Sequence, residues 1–172
     1  MDEREDVVQG TGVVDPAAQA QAQQVSGDLQ ELDKSIKSGG GWFYTIAVLS
    51  IINSLITLFH GSMSFVVGLG VTQFFDAAMR EFGTKAALII LPVNLIIAGI
   101  YFALGHFSNK RVKWAFITGM VLYALDGLLL LLVKEFLGLA FHAYALYCIY
   151  RGFKALDSYT KLEASTRSQS IV

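Results

Sequence analysis

Four apolar stretches, each carrying polar residues at a similar depth, constrain this chain more than anything else in it. They run roughly over 42–59, 86–104, 114–133 and 136–150. Three approach the roughly 20 residues needed to cross about 30 Å of hydrocarbon. The fourth is shorter and is expected to extend through its flanks. The pattern predicts an all-α fold, a polytopic four-helix bundle integral to a membrane. Only 16% of the residues are charged and mean hydropathy is +0.53, whereas soluble domains carry about 25% charged residues.

The charge is segregated along the chain. Residues 1–41 hold eight acids against Arg4, Lys34 and Lys37, a net of −5. From Arg151 onward four bases stand against Asp157 and Glu163, a net of +2. No basic cluster reaches the density that nucleic acid requires, so nucleic acid is excluded as a partner. Cys148 is the single cysteine, which leaves no intrachain disulfide and no multi-thiolate metal site. The first 41 residues are polar and acidic, unlike a signal peptide, so the first crossing is expected to act as its own insertion signal.

Residues 1–14 read as a disordered tail. Asp15-Pro16 reads as a helix start, an N-cap acid before a proline at the first helical position. Val25, Leu29, Leu32 and Ile36 then share one face of an amphipathic cytoplasmic helix over 15–41. Its polar face is acidic (Asp28, Glu31 and Asp33), which favours a protein partner or self-association over anionic lipid. Gly39-Gly40-Gly41 is expected to end this helix in a flexible joint before the first crossing at Trp42.

The segment 62–80 is apolar but short, and contains Gly68, Gly70, Gln73 and Asp76. Lysine and arginine placement decides how to read it. If it spans, six bases lie inside and seven outside. If it does not, ten lie inside and three outside. The positive-inside rule favours the second arrangement. The segment is therefore expected to be a re-entrant or interfacial helix on the outer side. The bundle occupies 42–153, residues 154–172 form a cytoplasmic tail, and both termini are cytoplasmic. A plasma or bacterial inner membrane fits best. Trp42 and Trp114 then both fall at the cytoplasmic boundary. The turn at Lys134-Glu135 forces the third and fourth crossings into antiparallel neighbours.

Asn53, Asn94, Asp126 and His142 lie about six to eight residues from the outer ends of their crossings, about 9–12 Å deep. They form a candidate intramembrane polar layer. His60, Gln73 and Asp76 are its candidate outer contributors. Ser50, Ser54 and Thr57 share one helix face with Asn53 and suit helix packing, since small and hydroxyl residues let backbones approach. Asp126 is the sharpest of these residues. An isolated charge at that depth costs several kcal/mol, so it must face the bundle, pair, or take up a proton. His142 is its expected partner, and Tyr123 lies one turn earlier. A metal site of His60, Asp76, Asp126 and His142 has suitable donor types, but no local spacing such as HxxxH supports it, and no metal or cofactor is expected. No GxSxG, HExxH, Walker or GxGxxG motif occurs. The sequence predicts a non-enzymatic scaffold or accessory subunit that binds a partner, self-associates or joins a larger membrane complex. The other reading is a small proton- or cation-coupled transporter or channel.

Overall fold

The computed structural model describes residues 15–58, 70–71, 84–132, 134 and 136–169. Among these residues there is no strand, and four long helices follow one another: α1 Pro16–Leu58, α2 Thr84–Asn109, α3 Lys113–Leu132 and α4 Phe136–Gln169. Helix α1 packs on α2 and α4, and α3 completes the ring between α2 and α4. The outcome is an up-down-up-down bundle. Side chains of 57–58, 84–89 and 132 fall outside the description, as do the outer segment 62–80 apart from residues 70–71 and the N-terminal tail.

The start of α1 follows its local chemistry. The Ala17 N–H donates to Asp15 Oδ1 at 2.9 Å, and the Gln19 N–H donates to the Asp15 carbonyl at 3.0 Å. Asp15 caps the helix and Pro16 opens it, where its missing N–H leaves no bond unmade.

The expected glycine joint does not form. Helix α1 runs unbroken for 43 residues through Gly39, Gly40 and Gly41. The reason is packing. A Cβ on Gly39 would lie 2.6 Å from Gly152 Cα on α4, and one on Gly40 would lie 2.5 Å from Asn109 Oδ1 at the end of α2. These glycines let three helices approach at one level, and that contact outweighs the roughly 1 kcal/mol each loses in helix propensity. Helix α4 continues beyond the last apolar stretch as one helix to Gln169, as the alternation of bases with Phe153, Leu156 and Leu162 leads one to expect. Helix α2 continues through Pro92.

The buried positions repeat at steps of three and four. On α1 they are Ile36, Gly39, Gly40, Phe43, Ile46, Ala47, Ser50, Asn53 and Ser54; on α4 they include His142, Ala145, Ile149, Ala155 and Leu156. Such a seam faces a neighbouring helix at a shallow crossing angle. Ile36 is fully buried and Leu32 packs on the same core. That part of the face expected to await a partner is therefore taken up by the chain itself. Val25 and Leu29 remain half-buried.

The outside of the bundle is the apolar side. Val48, Ile52 and Leu55 on α1, Leu95, Ile96 and Ile100 on α2, Leu125, Leu128 and Leu129 on α3, and Phe136 and Leu137 on α4 are exposed, Phe136 by 70%. The inside holds Ser50, Asn53, Ser54, Asn94, Asp126 and His142. Water-soluble bundles place these classes the other way round. Three helices, over Pro16–Ile56, Ile90–Asn109 and Lys113–Leu131, are long and apolar enough to cross a membrane. The protein is thus an integral membrane protein. Helix α4 is not one of those three, because His142, three tyrosines and Arg151 dilute its apolar run.

The end of the bundle where α1 enters is held by charge. Helix α2 stops in a paired turn: the Val112 N–H donates to the Phe107 carbonyl at 3.1 Å, and the Arg111 N–H to the Ser108 carbonyl at 2.9 Å. Arg111 sits at φ 63°, the left-handed position that glycine usually fills. Its side chain accounts for the exception. The guanidinium donates to Asp33 on α1, with Nη2–Oδ1 at 2.6 Å, and covers the Tyr159 ring of α4 at 4.2 Å. Hydrogen bonds from Lys37 and Arg111 hold the Asp33 carboxyl below its usual range. Nearby, Lys113 and Lys161 hold the Asp157 carboxyl down to about 2.

Candidate functional site

Among the described residues, two hydrogen bonds of the layer cross between helices. Between α1 and α2, Asn94 Nδ2 donates to Ser54 Oγ at 2.8 Å. Between α3 and α4, His142 Nε2 lies 2.8 Å from Asp126 Oδ2. Both partners of the second pair are buried, at 1% and 5% exposure. Asn53 is buried on α1 beside Ser54. Ser50 is buried too, but its hydroxyl donates to the Ile46 carbonyl of its own helix at 2.9 Å. Among Ser50, Ser54 and Thr57, then, Ser54 has its bond to α2 and Ser50 turns inward on α1. The side chain of Thr57 lies outside the described residues, as do His60, Gln73 and Asp76.

Local sequence explains why Asp126 and His142 meet. The α3–α4 turn is short, with the Lys134 N–H donating to the Leu131 carbonyl at 3.2 Å. It folds α4 back along α3, with Asp126 eight residues before the turn residue Lys134 and His142 eight after it. Gly127 faces the His142 side chain, whose Cβ and Cδ2 lie 3.5 Å from where a Cβ would stand, an ordinary contact.

Hydrogen-bond counting defines the protons of this pair. His142 Nδ1 lies 2.9 Å from the Gly138 carbonyl, which can only accept, so Nδ1 carries a hydrogen. Nε2 and Asp126 Oδ2 then share one proton between them. Wherever it resides, the pair as a unit is neutral. Neutrality removes most of the cost of placing a carboxylate at this depth.

Two further donors complete the carboxylate. The Gly70 N–H donates to Oδ2 at 2.7 Å and the Val71 N–H to Oδ1 at 2.8 Å. Both oxygens are therefore engaged by protein. Gly70 is needed for this approach, since a Cβ there would lie 2.9 Å from Leu130 Cδ2 and 3.2 Å from the Asp126 carbonyl oxygen. Sequence reading names Asp126 and His142 but not these backbone donors, and the glycine is the only signal for them.

Aromatic rings close the other side. Tyr123 is fully buried and stacks on His142 with ring centres 4.2 Å apart and planes at 12°. Tyr101 meets Tyr123 edge-on at 6.2 Å. The Tyr123 hydroxyl has no hydrogen-bond partner among the described residues. Between α2 and α3 an apolar cleft of about 530 Å³ reaches Asp126; Tyr101 and Val71 line it together with Ile97, Leu122 and Leu125. Among the described residues no three His, Cys, Asp or Glu side chains come together in a way that could hold a metal ion. The arrangement can hold a proton between Asp126 and His142 and can fix residues 70–71 against α3.

Comparison with protein-family models, with curated proteins and with solved structures returned no match. The functional reading therefore rests on the residues themselves.

Proposed function

We propose that this protein is a non-enzymatic membrane scaffold or accessory subunit. It crosses the bilayer four times with both termini cytoplasmic, and residues 62–80 form an outer re-entrant or interfacial segment. The observation that carries the reading is that protein donors engage both oxygens of Asp126. Two backbone N–H groups and one imidazole occupy its carboxylate, which is the arrangement of an internal fastener rather than of an ion carrier. The fastener ties the outer segment to α3 and α3 to α4. The opposite end offers a docking element. The start of α1, over 16–31, carries mostly exposed polar side chains with an acidic balance from Asp28 and Glu31, and a partner or second copy binds there. The positive-inside count supports the orientation, ten bases against three. Exposed Phe136, Leu137, Tyr144, Tyr147 and Tyr150 support α4 as the fourth crossing.

Photocrosslinking from exposed Gln23 and Gln30 tests the docking element in native membranes. A discrete cross-linked product, to a partner or to a second copy, is expected. A strictly monomeric protein with no product would overturn the scaffold reading. Protease added to intact cells tests orientation, because cleavage of residues 160–172 from outside would sink the four-crossing arrangement.

One observation favours a second reading, a proton- or cation-coupled transporter. The cleft between α2 and α3 leads to Asp126, and His142 could relay its proton. Liposome flux separates the two readings. Flux in the wild-type protein that Asp126→Asn abolishes would support transport; absence of flux, with Asp126→Asn lowering thermal stability, supports the scaffold.

A further inference from the structure

A second, smaller pocket lies at the opposite end of the bundle from the Asp126 cleft. It measures about 90 Å³, and Ser35, Ser38, Gly39, Trp42, Cys148 and Arg151 line it between α1 and α4. That volume equals about three waters at liquid density, room for one compact polar group. Its depth can be read from the surface around it. On α4 the large exposed side chains nearest this level are Tyr144, Tyr147 and Tyr150, and the next exposed residues are Arg151 and Lys154. Trp42 stands at the same level on α1, edge-on to Tyr144 at 5.4 Å. Tryptophan and tyrosine concentrate at the depth of lipid headgroups. The pocket therefore opens where hydrocarbon gives way to phosphate.

Its chemistry selects an anion. Arg151 makes no ion pair and no hydrogen bond with the described residues, unlike Arg111 and Lys113 close by. No carboxylate lines the pocket. The Ser35 and Ser38 hydroxyls also lack partners among the described residues, whereas Ser50, Thr160 and Thr166 bond the carbonyl one turn earlier. A guanidinium with two idle hydroxyls beside it is a donor set for phosphate oxygens.

We propose that this pocket binds the phosphate of an anionic phospholipid of the cytoplasmic leaflet. Arg151 supplies the charge and paired N–H donors, Ser35 and Ser38 the remaining hydrogen bonds, and Trp42 the wall against the glycerol region. Basic pockets between membrane helices on the cytoplasmic side are suited to such headgroups. The proposal rests on the four-crossing placement of α4 given above.

Cys148 lines the pocket and is the only cysteine of the chain, so it reports occupancy. The full chain is placed in nanodiscs of phosphatidylcholine, with or without phosphatidylglycerol, and alkylated with an uncharged maleimide. Phosphatidylglycerol is expected to slow alkylation several-fold. R151Q should remove that slowing and the S35A/S38A double variant should weaken it. K154Q, which removes the same charge three residues away, should retain it. Equal rates in both lipids, or equal loss in R151Q and K154Q, would overturn the proposal. Equal protection by inorganic phosphate in phosphatidylcholine discs would overturn the lipid source. Should Cys148 resist alkylation in every disc, native mass spectrometry of retained phosphatidylglycerol decides on the same variants: retention by wild type and K154Q but not R151Q is expected, and equal retention refutes it. Failure here with residues 160–172 still protected from external protease sinks the pocket alone; their cleavage sinks the placement.

Discussion

The Asp126–His142 contact can be broken from either side, and the two breaks are not equivalent. His142→Phe keeps an aromatic ring against Tyr123, which stacks at 4.2 Å, and removes the Nε2 partner of Oδ2. Two bonds are lost, because the Nδ1–H bond to the Gly138 carbonyl goes with it. Polar contacts between membrane helices are worth about 0.6 kcal/mol on average and about 1.7 at most, so a loss of about 1–3 kcal/mol is expected. Asp126→Leu removes the acceptor of His142 and of the Gly70 and Val71 N–H groups. Three such bonds give a loss of about 2–5 kcal/mol. The double variant leaves the two backbone N–H groups unpaired and lacks the Gly138 bond, but it leaves neither Asp126 nor His142 without its partner. It should therefore be more stable than the sum of the single losses implies, by about 0.6–1.7 kcal/mol. Unfolding in mixed detergent micelles measures all four proteins. Hydrogen exchange supplies a second readout: Asp126→Leu should accelerate the Gly70 and Val71 amides, while His142→Phe should leave them protected. Losses that add to within about 0.5 kcal/mol would refute the reasoning, as would unchanged exchange at Gly70 and Val71 in Asp126→Leu.

Three further outcomes follow from the geometry. Gly39→Ala drives a Cβ into the Gly152 backbone, whereas Gly41 has open space within 4 Å; thermal unfolding in detergent should show Gly39→Ala destabilised and Gly41→Ala stabilised by up to about 1 kcal/mol. Arg111→Ala loses the Asp33 contact and keeps an alanine at φ 63°, while Arg111→Gly loses only the contact, so the glycine variant should be the more stable by about 1 kcal/mol in the same assay. Because the folded-state value of Asp157 is depressed from 3.8 to about 2, its contribution is present above about pH 4 and lost as pH falls toward 2; Asp157→Asn should flatten the melting temperature across that window, and an unchanged slope would count against the Lys113–Asp157–Lys161 cluster.

The four helices were legible because each apolar run is long and its polar interruptions share one face. Helix ends were less so. The second stretch, expected over 86–104, runs Thr84–Asn109, since helices continue into water wherever capping and charge allow. The glycine run misled because propensity is a local quantity, and Gly39 and Gly40 answer to α4 and α2, which sequence distance hides. The contact of His142 with Asp126 could be anticipated, because a tight turn leaves two helices no choice of neighbour. That of Asn94 with Ser54 could not, because it depends on how α1 and α2 are rotated across 40 residues of separation. Backbone donors such as Gly70 and Val71 carry no side-chain signature at all. The fastening of the carboxylate was therefore invisible even though the carboxylate itself stood out.

The unbroken course of α1 has a mechanical consequence. At 1.5 Å per residue the helix is about 65 Å long, and the Gly39–Gly152 crossing falls near its middle. The arms on either side measure about 35 Å and about 29 Å. Without a joint at the glycines, α1 behaves as a lever with its fulcrum at that crossing. A sideways push of an ångström or two near residue 20 would carry Ser54 a comparable distance the other way, along the surface where it holds Asn94.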